Sequence, residues 1–336
     1  MSDSKASAAQ IASWCLAAAA LALVLLLHLL PALIAGLLVF ELVHVIADRL
    51  PRRLFGARAR VAAVAAIAAL VVAVLAAAIV GLAVFFRADA GHLTALLRKM
   101  AEIIDSTRGA FPAWMVESLP SGADELREAI SHWLREHAPE VRLVGAEAGR
   151  ALAHVLIGLV IGALIALREV VAGSTQRPLA AALIARAALL GESFRRVVFA
   201  QVRISALNTV FTALYLEVVL RLAGVHLPFT KTLITITFIA GLLPVIGNLV
   251  SNTAIVVVSF SASPYVAAAS LVFLVVIHKL EYFLNARIVG SRISARAWEL
   301  LLAMLAMEAA FGLAGVVAAP IYYAYLKQEL AEKKLV

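Results

Sequence analysis

The chain has 336 residues, of which 64% are hydrophobic and 15% charged, and its mean hydropathy is +0.99; ordinary soluble domains carry roughly 25% charged residues. That composition excludes an ordinary soluble domain and describes a multi-spanning membrane protein. The net charge of +8 is informative through its placement, and the single cysteine, Cys15, excludes an internal disulfide framework and a multi-cysteine metal site.

A spanning helix needs about 20 apolar residues, and the sequence supplies seven to eight such segments separated by polar pieces. The expected fold is therefore all-α, a polytopic helical membrane protein, and not a barrel of short alternating strands. Residues 11–30 and 32–47 form two apolar runs divided at Pro31, enough for a tight membrane hairpin. The second run carries Glu41 and His44, three apart and so on one helix face. They read either as a buried proton-handling pair or as a polar approach to the membrane surface, and Asp48 and Arg49 directly after them favour the surface. Arg49, Arg52, Arg53, Arg58 and Arg60 then crowd one short loop, which the positive-inside rule places in the cytoplasm together with the N-terminus. The first segment follows a polar start and runs on without a clear small-residue cleavage site, so it reads as a retained span and not a secretion signal.

Residues 61–86 make the third span, completing an N-terminal membrane region over 1–86. Residues 87–149 are the one sizeable polar stretch, with mixed charge and Pro112, Pro120 and Pro139, and are expected to form a small external helical subdomain. A fourth span lies within 150–177, where Gly158 and Gly162 have a spacing that lets helices approach closely. Residues 178–200 have an amphipathic pattern with Arg186, Arg195 and Arg196, expected to lie along the cytoplasmic surface with arginines toward lipid phosphates. In this apolar context the arginine run is not read as a nucleic-acid interface.

Residues 201–326 read as a transport core, followed by a polar tail over 327–336. The fifth span, 201–222, opens with Gln201, Ser205, Asn208 and Thr212, which recur at helical spacing as one stripe that must face protein or water. Residues 231–260 are an apolar segment broken in the middle: Pro244 lacks an N–H and crowds the preceding turn, and Gly247 permits backbone that other residues resist. Each half is about 12 to 14 residues, spanning little more than half of a roughly 30 Å hydrocarbon core, which favours a re-entrant hairpin. Broken helices at membrane depth are tolerated where they line a cavity or are buried in protein. Pro244, Gly247, Asn248, Ser251 and Asn252 are accordingly candidate solute- or ion-binding positions, with Gln201 and Asn208 facing them. A kink serving only helix packing is the structural alternative. Two ionisable residues later in the chain, Glu281 and Glu308, are candidates for coupling, Glu308 because a carboxylate in an apolar helix is costly unless protonated, paired or hydrated. His278 and Glu281 are three apart, but two ligands without a third do not make a metal site. If the broken segment is re-entrant, the basic stretch around Arg287 to Arg296 lies inside; if it crosses, that stretch lies outside and the C-terminal lysines lie inside.

In three places, in order, the C-terminal half resembles the autoinducer-2 exporter family of bacterial inner-membrane transporters: Gly241-Leu-Leu-Pro244-Val-Ile-Gly247, Glu281-Tyr-Phe-Leu-Asn-Ala-Arg287-Ile-Val-Gly290 and Gly312-Leu-Ala-Gly315-Val-Val-Ala-Ala-Pro320-Ile321. Gln201 matches as well. Members usually show Pro-Tyr-x-Gly-Pro at the break, where Val245 and Asn248 stand here, and often Pro-Lys where this chain has Ala286-Arg287. The resemblance covers roughly residues 195 to 325. It implies a homo-oligomeric, pentameric transporter of the inner membrane that moves solute by an elevator-like motion of a hairpin-bearing domain; some relatives are described as exporters of a quorum-sensing furanone and others as sodium/proton antiporters.

The function expected from these readings is secondary transport, exporting a small polar metabolite or signal, with no cofactor. The alternatives are a sodium- or lithium-for-proton antiporter, in which Asn248 and Glu308 help to hold the ion, and a cell-envelope scaffold using the external subdomain. No G-x-S-x-G, H-E-x-x-H or intramembrane aspartate pair supports an enzyme, and no G-x-x-x-x-G-K-[ST] loop supports ATP-driven transport.

Overall fold

The computed structural model describes residues 8–47, 57–89, 138–171, 177–243, 246–288 and 296–333, with Glu128, His132 and Glu136. Their helices are α1 (Ala8–Leu26), α2 (Leu30–Ala47), α3 (Ala57–Asp89), α4 (Ala138–Val171), α5 (Pro178–Leu214), α6 (Thr230–Gly241), α7 (Ile246–Phe260), α8 (Pro264–Ile288) and α9 (Ala297–Glu332); α5 continues through a π-helical turn, Tyr215–Val219, to Leu222. The described residues contain no strand, so the chain is an all-α membrane protein as its composition requires. Most of the external subdomain expected over 87–149, much of the arginine loop, Pro244 and residues 289–295 lie outside the described residues. Among the described residues, six segments are long and apolar enough to cross a membrane: Ala8–Leu26, Leu30–Ala47, Val61–Leu82, Gly149–Arg168, Pro178–Leu222 and Trp298–Glu332. The helices fall into two compact units, Met1–Val80 with Ala146–Val198 and Ile293–Val336, and Gly81–Gly145 with Phe199–Arg292.

In the first unit α1 ends where His28 takes a left-handed φ of 56°. The Leu29 and His28 amides donate back to the Val24 and Leu25 carbonyls at 2.8 and 3.1 Å, closing the helix end without water. Pro31 falls in the first turn of α2, where its missing N–H leaves no ladder bond unmade. Helices α2 and α4 run parallel in fixed register: His154 Nδ1 lies 3.2 Å from the His28 carbonyl, Gly158 abuts Ala32 and Gly162 abuts Gly36. A Cβ at Gly158 or Gly162 would overlap the facing backbone, so the Gly158/Gly162 spacing is used for close helix approach. Val39, Val43, Val64, Ala68 and Leu159 fill the core beside this contact.

The surface helix expected over 178–200 and the span expected from Gln201 are one continuous helix, because nothing between them interrupts the ladder. Nor do all its arginines face outward. Arg186 is only 7% exposed; it pairs with Glu329 at 3.2 Å and lies over the Trp14 ring. Glu41, read from sequence as approaching the surface, is buried as well: Arg195 comes within 3.7 Å, and Gly191 leaves room for its carboxylate where a Cβ would sit 2.7 Å from Oε1.

By hydropathy alone, residues 300–326 read as one final span, but α9 folds back on itself. Gly312 has φ 60° and ψ −144°, a conformation essentially reserved for glycine. Glu299 Oε2 accepts from Tyr323 Oη at 2.7 Å and from Lys327 Nζ at 2.5 Å. In a straight helix those partners would be roughly 36 and 42 Å away at about 1.5 Å per residue. The arms meet closely at the turn, where Gly315 abuts the Met307 carbonyl and admits no Cβ. The second arm lies antiparallel to α1, with Trp14 Nε1 donating to Glu329 at 2.7 Å and Tyr322 Oη to the Leu21 carbonyl at 3.2 Å.

The second unit is built on the later part of α5. Its end is capped at Gly224, φ 76°, whose amide and that of Val225 return to Arg221 and Leu220. Helices α6 and α7 pack against each other as a hairpin and α8 follows on α7, started by Ser263 accepting from the Val266 amide and by Pro264 at the first helical position. Leu216, Leu220, Leu233, Ile255, Val258 and Leu274 form the core.

Candidate functional site

The stripe on α5 meets the break between α6 and α7. Gln201, Ser205, Asn208 and Thr212 follow one another at intervals of four, three and four, so one face of the helix is polar from its start to its middle. Ending α6 leaves carbonyls without helical partners. Gln201 Nε2 donates to the Gly241 carbonyl at 2.7 Å, and Ser205 Oγ donates to the Phe238 carbonyl at 2.5 Å. Two acceptors near the broken end are thus held by α5 side chains instead of water. Asn208 Nδ2 reaches Asn248 Oδ1 at 3.4 Å, the long end of hydrogen bonding.

The glycines of the break are explained by what surrounds them. A Cβ at Gly241 would sit 2.6 Å from Ser205 Oγ, and one at Gly247 would overlap the Ala240 carbonyl. Only hydrogen at these positions lets the two arms close and α5 lie against them. The turn is tied by Leu243 N–H to the Ala240 carbonyl at 2.8 Å and by Gly247 N–H to the Leu243 carbonyl at 3.2 Å. Ser251, buried, donates to the Gly247 carbonyl at 3.1 Å.

Of the positions singled out in the sequence, Gln201, Asn208, Gly247, Asn248 and Ser251 are brought together. Asn252 is half-buried one residue further along α7. Pro244 and the side chain of Glu281 lie outside the described residues. Glu308 is exposed on the first arm of α9, four residues before the Gly312 turn, and belongs to the first unit.

Three features escaped the sequence reading. Ser205 is an anchor of the hairpin as direct as Gln201, and its place in the stripe was the available signal. Tyr215 Oη, Ser270 Oγ and Ser259 Oγ form a buried hydroxyl chain with spacings of 3.0 and 2.7 Å, and the Tyr215 ring stacks on Phe273 at 3.9 Å. No pattern in the sequence links these distant residues. In the first unit a polar layer joins α5 to the second arm of α9: Gln328 donates to Glu192 at 2.9 Å and lies 3.2 Å from Ser193, while Glu192 pairs with Arg196.

The family model for AI-2E family transporters matches residues 11–333, nearly the whole chain. The chain belongs to the AI-2E transporter family. Comparison with curated proteins and with solved structures gave no match. This AI-2E transporter is therefore a multi-pass membrane protein of a family that carries solutes, and the match spans both the α6–α7 break and the α9 turn. The resemblance first noted over residues 195 to 325 extends in the AI-2E match through the N-terminal helices as well.

Proposed function

We propose that this AI-2E family transporter is a secondary exporter of a small polar metabolite or signal, working by elevator-like alternating access, with the α6–α7 break and the polar face of α5 as its solute site. The observation that carries this reading is the convergence of uncharged hydrogen-bonding groups on one broken membrane segment: Gln201, Ser205 and Asn208 from α5, with Asn248 and Ser251 from α7. Amides and hydroxyls recognise polar solutes without the desolvation cost of a buried charge. Broken helices at membrane depth are where transporters build such sites.

The hairpin form of α9 supports a topology. Its second arm ends beside the start of α1, and both arms end together through Glu299 and Lys327. With the N-terminus cytoplasmic, α9 then enters from and returns to the cytoplasm. The basic stretch around Arg287 to Arg296 and the terminal lysines are both inside, which satisfies the positive-inside rule at both places. In this reading α5 and α8 each cross once, which makes the α6–α7 pair re-entrant from the external face. In this reading Glu281 and Glu308 couple proton movement to transport, the chain works as a homo-oligomer, a pentamer by its family resemblance, and it resides in the bacterial inner membrane in contact with lipid.

The test is efflux from vesicles reconstituted with the full chain, loaded with a panel of polar metabolites and held at a preset pH gradient. Gradient-dependent efflux of one class of compound, lost in Asn248→Leu and uncoupled from the gradient in Glu308→Gln, is the expected result. Collapse of the gradient on adding sodium or lithium alone, abolished in Glu308→Gln, would instead favour cation/proton antiport. Neither flux from folded protein would sink the reading.

A further inference from the structure

Thr212 stands out among the hydroxyls of the second unit. It is 1% exposed, and its Oγ1 has no hydrogen-bond partner among the described residues. The usual solution for a threonine inside a helix is to return its hydroxyl to the carbonyl four residues earlier. Thr209, Thr235 and Thr237 do so, at 2.7, 2.9 and 2.8 Å. Thr212 does not, although the same kind of acceptor precedes it. A buried hydroxyl left unpaired is costly, and native proteins satisfy nearly all such groups with protein or with ordered water.

Its position says where that water would come from. Thr212 is the fourth member of the polar stripe, one helical turn beyond Asn208, which faces Asn248 at the hairpin break. Three residues further on, Tyr215 opens both the buried Tyr215–Ser270–Ser259 hydroxyl chain and the π-helical turn Tyr215–Val219. A π turn displaces carbonyls from the regular ladder, and such turns occur often at functional sites. Beyond it the core is apolar, with Leu216 and Leu220 buried.

We infer that Thr212 is the inner end of a polar track that starts at the hairpin break and runs along α5, that water enters this track as the chain moves, and that an ordered water hydrogen-bonded to Thr212 Oγ1 occupies this end in the buried state seen here. The track extends the solute site proposed above by one helical turn and gives it a hydrated floor, closed by the Tyr215 hydroxyl chain. Its hydration is a property of the folded chain and does not depend on which solute is carried.

The experiment places single thiols in a Cys15→Ser background of the full chain in lipid vesicles. T212C puts a thiol in the track, and V210C puts one on the opposite, lipid-side face of the same helix, where Val210 is 57% exposed. The probe is aminoethyl methanethiosulfonate, which reacts with the thiolate, a form that exists only where water reaches. T212C is expected to react on the order of tenfold faster than V210C, a difference set by thiolate access. Equal rates would overturn the proposal. The second measurement is the melting temperature of Thr212→Val. If the hydroxyl is hydrated, removing it leaves the melting temperature unchanged or lower; a rise would show a dry, unsatisfied hydroxyl and overturn the proposal independently. Both readouts use no transported solute, so failure of the exporter reading in the efflux test and failure of this inference are separately visible.

Discussion

The side-chain amide of Gln201 donates to the carbonyl of Gly241 at 2.7 Å, across 40 residues of sequence. Together with the Ser205 bond to the Phe238 carbonyl, it holds the end of α6 to α5. Replacing Gln201 by leucine keeps the bulk and removes the donor, leaving a buried acceptor unsatisfied at a cost of about 1–3 kcal/mol. Gln201→Leu is expected to lower the melting temperature in detergent and to reduce transport, while Gln201→Glu, unable to donate when ionised, should do both at least as strongly. Unchanged melting in both variants would show that the bond does not anchor the hairpin.

How much of this could be read from the sequence alone depended on the range of each contact. The stripe of Gln201, Ser205, Asn208 and Thr212 was legible because a helix turns local spacing into a face, and the break was legible because Pro244 and Gly247 act on their own backbone. Their meeting was an expectation from polarity, and the bonds to Gly241, Phe238 and Asn248 supply its geometry. Glu41 and Arg186 were misjudged for one reason. Charge near a membrane boundary predicts exposure unless a distant partner exists, and their partners, Arg195 and Glu329, lie far along the chain. The reversal at Gly312 was hidden because both arms of α9 are apolar, and hydropathy carries no sense of direction.

Gly162 and Gly158 bring α4 against α2 closely enough that a Cβ at either would overlap Gly36 or Ala32 backbone. Backbone cannot rotate aside as a flexible side chain can. Gly162→Ala should therefore separate the helices and destabilise the first unit by about 1–3 kcal/mol, the usual range for overpacking. Gly149, on the same helix, is the control, because a Cβ added there would meet nothing within 4 Å among the described residues. Gly149→Ala is expected to melt at or slightly above the parent temperature, and equal loss in both variants would argue against a packing cause.

Arg186 and Glu329 form a pair with side chains 8% and 13% exposed, and Trp14 donates to the same carboxylate. Removing one partner of a buried pair leaves an uncompensated charge, which costs about 3–5 kcal/mol, whereas removing both can be nearly neutral. Glu329→Gln is expected to destabilise strongly, and Arg186→Met combined with Glu329→Gln to recover much of the loss. A four-way comparison of unfolding midpoints measures the coupling. Additive effects would mean that the two charges are independently solvated.

The α9 turn makes the sharpest geometric prediction. Glu299 touches Tyr323 and Lys327 only because the chain reverses at Gly312, whose φ and ψ an L side chain tolerates poorly. In a Cys15→Ser background, thiols introduced by Glu299→Cys and Tyr323→Cys should be joined by a short bifunctional thiol reagent within a single chain, detectable as a mass increase that closes both sites. Adding Gly312→Ala should strain the turn by about 1–3 kcal/mol and lower the yield of that product. Two separately capped thiols in the parent background would mean that α9 crosses as one straight helix, since the sites would then stand roughly 36 Å apart. That result would also return the C-terminal lysines to the face opposite residue 299, and with it remove the charge argument for an α6–α7 pair that re-enters from the external face.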